Sequence, residues 1–173
     1  FVEAESYFLF QEYKDALPLY QQLIRVDPDN YNVLYKIGIC YLNDPYQKEK
    51  AIVYLSKAAE HITLNYKQNT IKEKLAPPEA RYYLGKAYHV NGNFKEAIEQ
   101  YQNFLSGADP VQFDLDLVKE DIEACQRAMK VYNNPIYCKF DNLSKTVNSR
   151  FEDFNPVLSG DGKVLAFTRR MQF

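Results

Sequence analysis

Tyr82 to Leu105 reads YYLGKAYHVNGNFKEAIEQYQNFL. Leu84, Gly85, Ala87 and Tyr88 are followed by Gly92, Phe94, Ala97, Tyr101 and Phe104, and within each half the apolar residues recur at the three- and four-residue steps of an amphipathic helix. Two helices are expected, with Asn91-Gly92-Asn93 as the turn. Gly85 and Ala97 lack bulk where the helices must touch, so the axes can approach while Tyr88 and Tyr101 fill the flanking holes. The stretch holds no evident catalytic group.

The same design occurs twice more. NVLYKIGICYLNDPYQKEKAIVYLSKAAE, from Asn32, supplies Leu34, Ile37, Gly38 and Tyr41, then Ala51, Leu55 and Ala58. AESYFLFQEYKDALPLYQQLIRVDPDN, from Ala4, supplies Ala4 and Tyr7, then Tyr13, Ala16, Tyr20 and Leu23, closing on Asp27-Pro28. These three copies, over roughly the first 110 residues, resemble the tetratricopeptide repeat, a helix-turn-helix unit of about 34 residues. The resemblance implies an all-α helical solenoid of about three repeats. Its early tryptophan is replaced by Leu34 in the second copy and Arg81 in the third. Gly38 and Gly85 stand 47 positions apart, so the second copy carries an insertion in EHITLNYKQNTIKEKLAPPE. Its second helix is expected to continue past Ala59, followed by a loop or short helix around Asn69 to Leu75, with Pro77-Pro78 opening the next helix.

Beyond Pro110, Phe113, Leu117, Val118, Ile122, Cys125 and Met129 share one face of a further helix, the expected end cap of the solenoid, stopped by Asn133-Asn134-Pro135. Residues 1–134 are thus assigned to the solenoid and its cap, and 135–147 to a linker. In 148–173 the helical stripe is lost, and two β-prone runs flank Gly160-Asp161-Gly162, predicting a short C-terminal hairpin. Asn148-Ser149, Phe151 to Pro156, Ser159 to Gly162 and Phe167 to Arg170 resemble the opening of a WD40-like propeller repeat, with Arg169 where serine is common. A single hairpin cannot make a blade, so the chain is expected to stop inside the first one.

Composition excludes several classes. The 173 residues are 46% hydrophobic and 25% charged with a net charge of -2, and the cations are scattered, so no basic surface for nucleic acid is expected. No apolar run approaches the roughly 20 residues that span a bilayer. The chain opens on Phe1 with no leader or lipidation motif, which reads as a cut start. Fifteen tyrosines and 11 phenylalanines without a tryptophan imply that many aromatic rings sit between elements.

No catalytic, cofactor or metal site is expected. Cys40, Cys125 and Cys138 lack Cys-x-x-Cys spacing; Cys40 reads as a buried filler, while Cys125 and Cys138 could either pair in an oxidising compartment or stay free. His61 and His89 have no nucleophile partner at a telling position. Asp114, Asp116, Glu120 and Asp121 suit the first turns of a helix. Ser159 to Lys163, SGDGK, lacks the spacing and following helix of a phosphate loop and reads as a hairpin turn.

The family resemblance implies a concave groove lined by first-helix residues. The matching positions are Phe8 and Leu9 in the first copy, Asn32, Tyr35, Lys36, Ile39 and Leu42 in the second, and Glu79, Tyr82, Tyr83, Lys86 and His89 in the third. Tyr35 and Tyr82 stand where chaperone-tail-binding relatives need lysine, and Ile39 and Lys86 where they need asparagine. Chaperone tails are therefore not the expected ligands.

The order of solenoid and propeller start resembles the N-terminal part of Bacteroidetes OmpA-family envelope lipoproteins, type IX secretion and gliding components among them. That resemblance implies a non-enzymatic protein-interaction scaffold on the periplasmic face of the outer membrane. Its partners would be envelope proteins or peptide segments in the groove and its own downstream propeller. Peptidoglycan would be reached only through a domain outside these residues. Two alternatives stand beside it: a purely structural arm that orients the propeller, and a targeting arm of an envelope hydrolase.

Overall fold

The computed structural model describes residues 1–111, 113–148 and 150–170. Ser149 of the Asn148-Ser149 step and residues 171–173 lie outside them. The chain divides into two compact units, Phe1–Asn134 and Pro135–Phe173.

The first unit is the expected helical solenoid. Its three helix pairs are α1 (Val2–Leu9) with α2 (Tyr13–Val26), α3 (Tyr31–Leu42) with α4 (Lys50–Glu60), and α5 (Glu79–Val90) with α6 (Phe94–Leu105). A final helix, α7 (Leu115–Asn133), packs on α6. Ala16, Ala51 and Ala97 sit at one repeat position and are fully buried, and four residues on, Tyr20, Leu55 and Tyr101 are fully buried too. Each large side chain buried in this way stabilises the fold by about 1.5–3 kcal/mol.

Opposite them the first helices carry Gly38 and Gly85. A Cβ on Gly38 would land on Leu55 Cγ, and one on Gly85 would lie 2.6 Å from Tyr101 Cδ1 and Cε1. Absence of a side chain is therefore what lets each pair close. Gly92 serves differently: its φ of +79° turns the chain between α5 and α6, a conformation an L side chain resists.

Helix starts follow local chemistry. The Asn30 side chain accepts from Val33 N at 3.1 Å, and Asp114 accepts from Asp116 N and Leu117 N at 3.1 and 3.2 Å, satisfying donors that the first turn leaves free. Pro78 caps α5, as expected.

The insertion departs from expectation. Helix α4 ends at Glu60 rather than running on, while Asn69 to Leu75 is a loop, one of the two expected forms. After His61 the backbone pairs with itself: Thr63 N donates to Ala76 O and Ala76 N to His61 O, each at 2.9 Å. This ties both ends of the insertion together, so the segment folds back instead of extending the helix.

The second unit holds a single turn of helix, α8 (Ser144–Val147), and an antiparallel hairpin of β1 (Glu152–Leu158) and β2 (Leu165–Arg170). The pairing shifts between Phe154 and Val157, where Asn155 takes a φ of +54°. Asp161 organises the turn, with Oδ1 accepting from Ser159 Oγ at 2.6 Å and Lys163 N at 3.2 Å, so SGDGK is a turn and not a phosphate cradle. Arg169 Nε donates to Asp153 Oδ1 across the strands at 2.6 Å and its Nη2 to Val147 O at 2.9 Å. The arginine that departs from the propeller pattern thus ties β2 to β1 and to α8.

Candidate partner-binding groove

The twelve groove positions do not share one fate. Asn32, at 0% exposure, and Lys36, at 4%, are buried, as are Tyr35 and Ile39. Burial removes Asn32 and Ile39 from the open surface, which corrects the sequence-based reading of them as groove lining, whereas Lys36, though buried, still borders the first hollow described below.

The cause is the insertion together with α1. Asn32 N donates to Lys74 O at 3.0 Å, its Nδ2 to Glu73 O at 3.3 Å, and its Oδ1 accepts from Tyr66 OH at 2.7 Å. Three bonds from one buried residue therefore fasten the loop across the start of α3. The ring of His61 stacks on Tyr31 at 3.7 Å and secures the loop's first residue.

Lys36 is satisfied within the fold. Its Nζ donates to both carboxylate oxygens of Glu5 at 2.5 Å, and Glu5 Oε1 also accepts from Tyr20 OH at 2.6 Å. The ammonium lies 5.4 Å from the Phe1 ring centroid, 5.8 Å from Phe8 and 5.9 Å from Tyr20. Burial lowers the Lys36 pKa, and the Glu5 carboxylate opposes that shift.

Two hollows remain open. The first, of about 180 Å³, is walled by Phe8, Leu9, Tyr35 and Glu79, with Tyr66 and Asn69 contributed by the insertion. The second, of about 280 Å³, lies between α5 and α7 and is walled by Glu79, Tyr82, Tyr83, Phe113 and Leu117. Leu117 is 48% exposed there, an apolar side chain left open on the α7 face. Leu42, Lys86 and His89 line neither hollow.

Tyr82 is part of the wall rather than a free contact. Its hydroxyl donates to Asp121 Oδ2 at 3.1 Å, its ring packs against Tyr101 and Phe104, and Lys86 Nζ sits 5.1 Å from its centroid. Burial, aided by the Asp121 charge, pushes the Tyr82 phenol up to about 12. Tyr83 meets Tyr35 edge-on at 5.8 Å, joining the third copy to the second. His89 meets Phe94 and Tyr101 edge-on at 6.0 and 6.5 Å.

Tyr66 and Asn69 were not legible as groove residues, because only the length of the insertion is visible in sequence. Phe113 and Leu117 were legible as an apolar helix face but not as groove wall.

Other chemistry has little support here. Among the described residues, no group of three or more His, Cys, Asp or Glu side chains gathers as a metal site, and no helix is long and apolar enough to cross a membrane. All three cysteines are free; Cys40 and Cys125 are buried, and burial pushes their thiols up to about 12 and about 11. Cys138 is exposed.

Stacked helix pairs with a partly open aromatic groove define a repeat module for protein interaction. The tetratricopeptide repeat family model matches residues 1–59 and 66–112, more than half of the chain, and the chain belongs to that family. The gap in the match falls where the insertion leaves α4. Among solved structures, the chain is similar to the Sgt2 TPR domain from Aspergillus fumigatus, with a TM-score of 0.55 and 21% identity over 85% of this chain and 87% of that one. At that identity the likeness speaks to fold alone. No curated protein matches the sequence. Modules of this family bind peptide or protein partners and are typically non-enzymatic.

Proposed function

We propose that the chain is a non-enzymatic docking module whose partner seats in the hollow between α5 and α7. The observation that carries this reading is the contrast within the groove. The start of α3 is covered by the chain's own insertion and its Lys36 is already paired with Glu5, whereas Tyr83 and Leu117 face an open, apolar-walled hollow. Buried aromatic walls around an exposed aliphatic side chain are the composition of an interaction hot spot.

The setting follows the sequence resemblance. The module stands at the periplasmic face of the outer membrane as the N-terminal part of an envelope lipoprotein with a propeller and an OmpA-like domain, in the class that includes type IX secretion components. Residues 148–173 are the first hairpin of that propeller, after a linker at 135–147. In support, the hairpin leaves Val157, Leu158 and Val164 exposed, side chains that further strands would cover.

A structural arm is the second reading, favoured by Ile136, Tyr137 and Phe140, which are exposed at the start of the second compact unit. The test is crosslinking mass spectrometry on the full-length protein from its envelope fraction, comparing wild type with Tyr83→Ala/Leu117→Ala. Loss of specific outer-membrane partners with folding intact supports docking. An unchanged partner list rejects it and leaves the arm.

A further inference from the structure

Glu79 lies on the seam of the groove and lines both hollows. It is half-buried at the first turn of α5. Among the described residues no lysine, arginine or histidine forms an ion pair with it, although seven other ion pairs form. Its surroundings are phenolic: its charge is felt at Tyr35, Tyr66 and Tyr83, where it adds to burial in opposing ionisation of each hydroxyl, although at Tyr83 the Lys86 charge acts the other way.

The same groove contains a finished version of this arrangement. At Glu5 a carboxylate beside aromatic rings is matched by an ammonium, and the chain supplies that ammonium itself from Lys36. Around Glu79 the carboxylate and the rings recur, and no side chain among the described residues supplies the cation. Beyond the Lys36–Glu5 pair the charges that line the hollows agree in sign, while Lys86 lines neither hollow and acts on Tyr82 and Tyr83 from outside them. Glu5 and Lys36 neutralise one another in the first hollow, and the second adds only Asp114, whose carboxylate caps α7. The open groove thus offers negative charge and π faces, both of which attract a cation.

We infer that Glu79, with Tyr35, Tyr66 and Tyr83, forms a cation-accepting subsite that takes a lysine or arginine side chain from an extended protein segment laid along the groove. The inference rests on the docking reading and adds the chemistry of the partner. Phenol oxygens accept hydrogen bonds from the ammonium or guanidinium, and the carboxylate supplies the opposite charge at the floor. The apolar wall at Phe113 and Leu117 takes the neighbouring residues of the segment. This preference is the reverse of a clamp for acidic tails.

The probe is a random decapeptide display library panned against the folded 173-residue chain, with Glu79→Gln and Glu79→Lys in parallel and each variant checked by circular dichroism. The expected result is enrichment of peptides bearing lysine or arginine, with binding about tenfold or more weaker to Glu79→Gln. Glu79→Lys is expected to select aspartate or glutamate instead. Selection of apolar peptides with no basic preference, or basic peptides that bind Glu79→Gln undiminished, would overturn the subsite while leaving the docking reading intact. No specific selection by the wild-type chain would overturn both.

Discussion

Replacing Gly85 with alanine tests the packing on which the repeats depend. On an exposed helix that change stabilises by about 1 kcal/mol, because glycine is the poorer helix former. Here the new Cβ would lie 2.6 Å from two ring carbons of Tyr101 and 3.2 Å from a third. Tyr101 is fully buried, and its ring lies 5.8 Å from Tyr82 and 6.5 Å from His89, so it has no free space into which to swing. Overpacking costs about 1–3 kcal/mol, and contacts this short on a confined ring fall in the upper part of that range, about 2–3, so less the propensity gain a net loss of about 1–2 kcal/mol is expected. With a urea m-value of about 2 kcal/mol/M, the midpoint falls by about 0.5–1 M, read by circular dichroism. Gly107→Ala is the control, since nothing lies within 4 Å of its Cβ position, and a change within about 0.5 kcal/mol is expected. In a Tyr101→Ala background the obstacle is gone, and Gly85→Ala is expected to become neutral or stabilising. If Gly85→Ala alone matches or exceeds wild-type stability, close approach of α5 and α6 through Gly85 is not what fixes the repeat.

Three further outcomes follow from the buried polar groups. Glu5→Ala strands the Lys36 ammonium and should cost about 3–5 kcal/mol, while Glu5→Gln/Lys36→Met should recover most of that loss; equal losses in urea melts would contradict the pairing. Tyr20, Tyr35, Tyr66, Tyr82 and Tyr101 all have pKa values raised above the ordinary tyrosine range, chiefly by burial. The stability they contribute is full below about pH 10 and is lost as pH rises towards their folded-state values, by about 1.4 kcal/mol per pH unit for each phenol ionised only in the unfolded chain. Tyrosinate absorbance should therefore rise together with loss of helix, and full titration near pH 10 with helix intact would refute it. Asn32→Ala removes the two side-chain bonds that Asn32 makes to the insertion, so trypsin should cut at Lys67, Lys72 or Lys74 several-fold faster than in wild type, and an unchanged rate would mean the loop is held elsewhere, as by the Lys74–Asp27 pair.

The helix pairs were legible because their residues obey a local period. Gly85 and Tyr101 announce their helices within a few turns, and the glycine spacing marked an insertion before Gly85. What the insertion does was not legible. Its path depends on Asn32 bonding the backbone 41 residues away, and no local propensity encodes such a contact. Sequence also extended α4 past Ala59, because nothing local reveals that His61 and Thr63 will pair with Ala76. Lys36 occupies a family groove position, yet the chain reaches back to Glu5 and withdraws it. The open wall comes partly from Phe113, just before α7, and Leu117 on α7, both outside the family-matched residues. Periodicity thus fixed the scaffold, and long-range polar contacts decided which part of its surface stays open.

On the proposed reading the partner lies along the open groove around Glu79, Tyr83 and Leu117, and not on the outer helices. Site-specific photocrosslinking in the native cell tests it most directly, with p-benzoylphenylalanine placed in the full-length protein at Tyr83, at Leu117, and at exposed Lys95 on α6. A shared, discrete adduct is expected from Tyr83 and Leu117 and none from Lys95. Adducts from Lys95 with neither groove position reacting would contradict it.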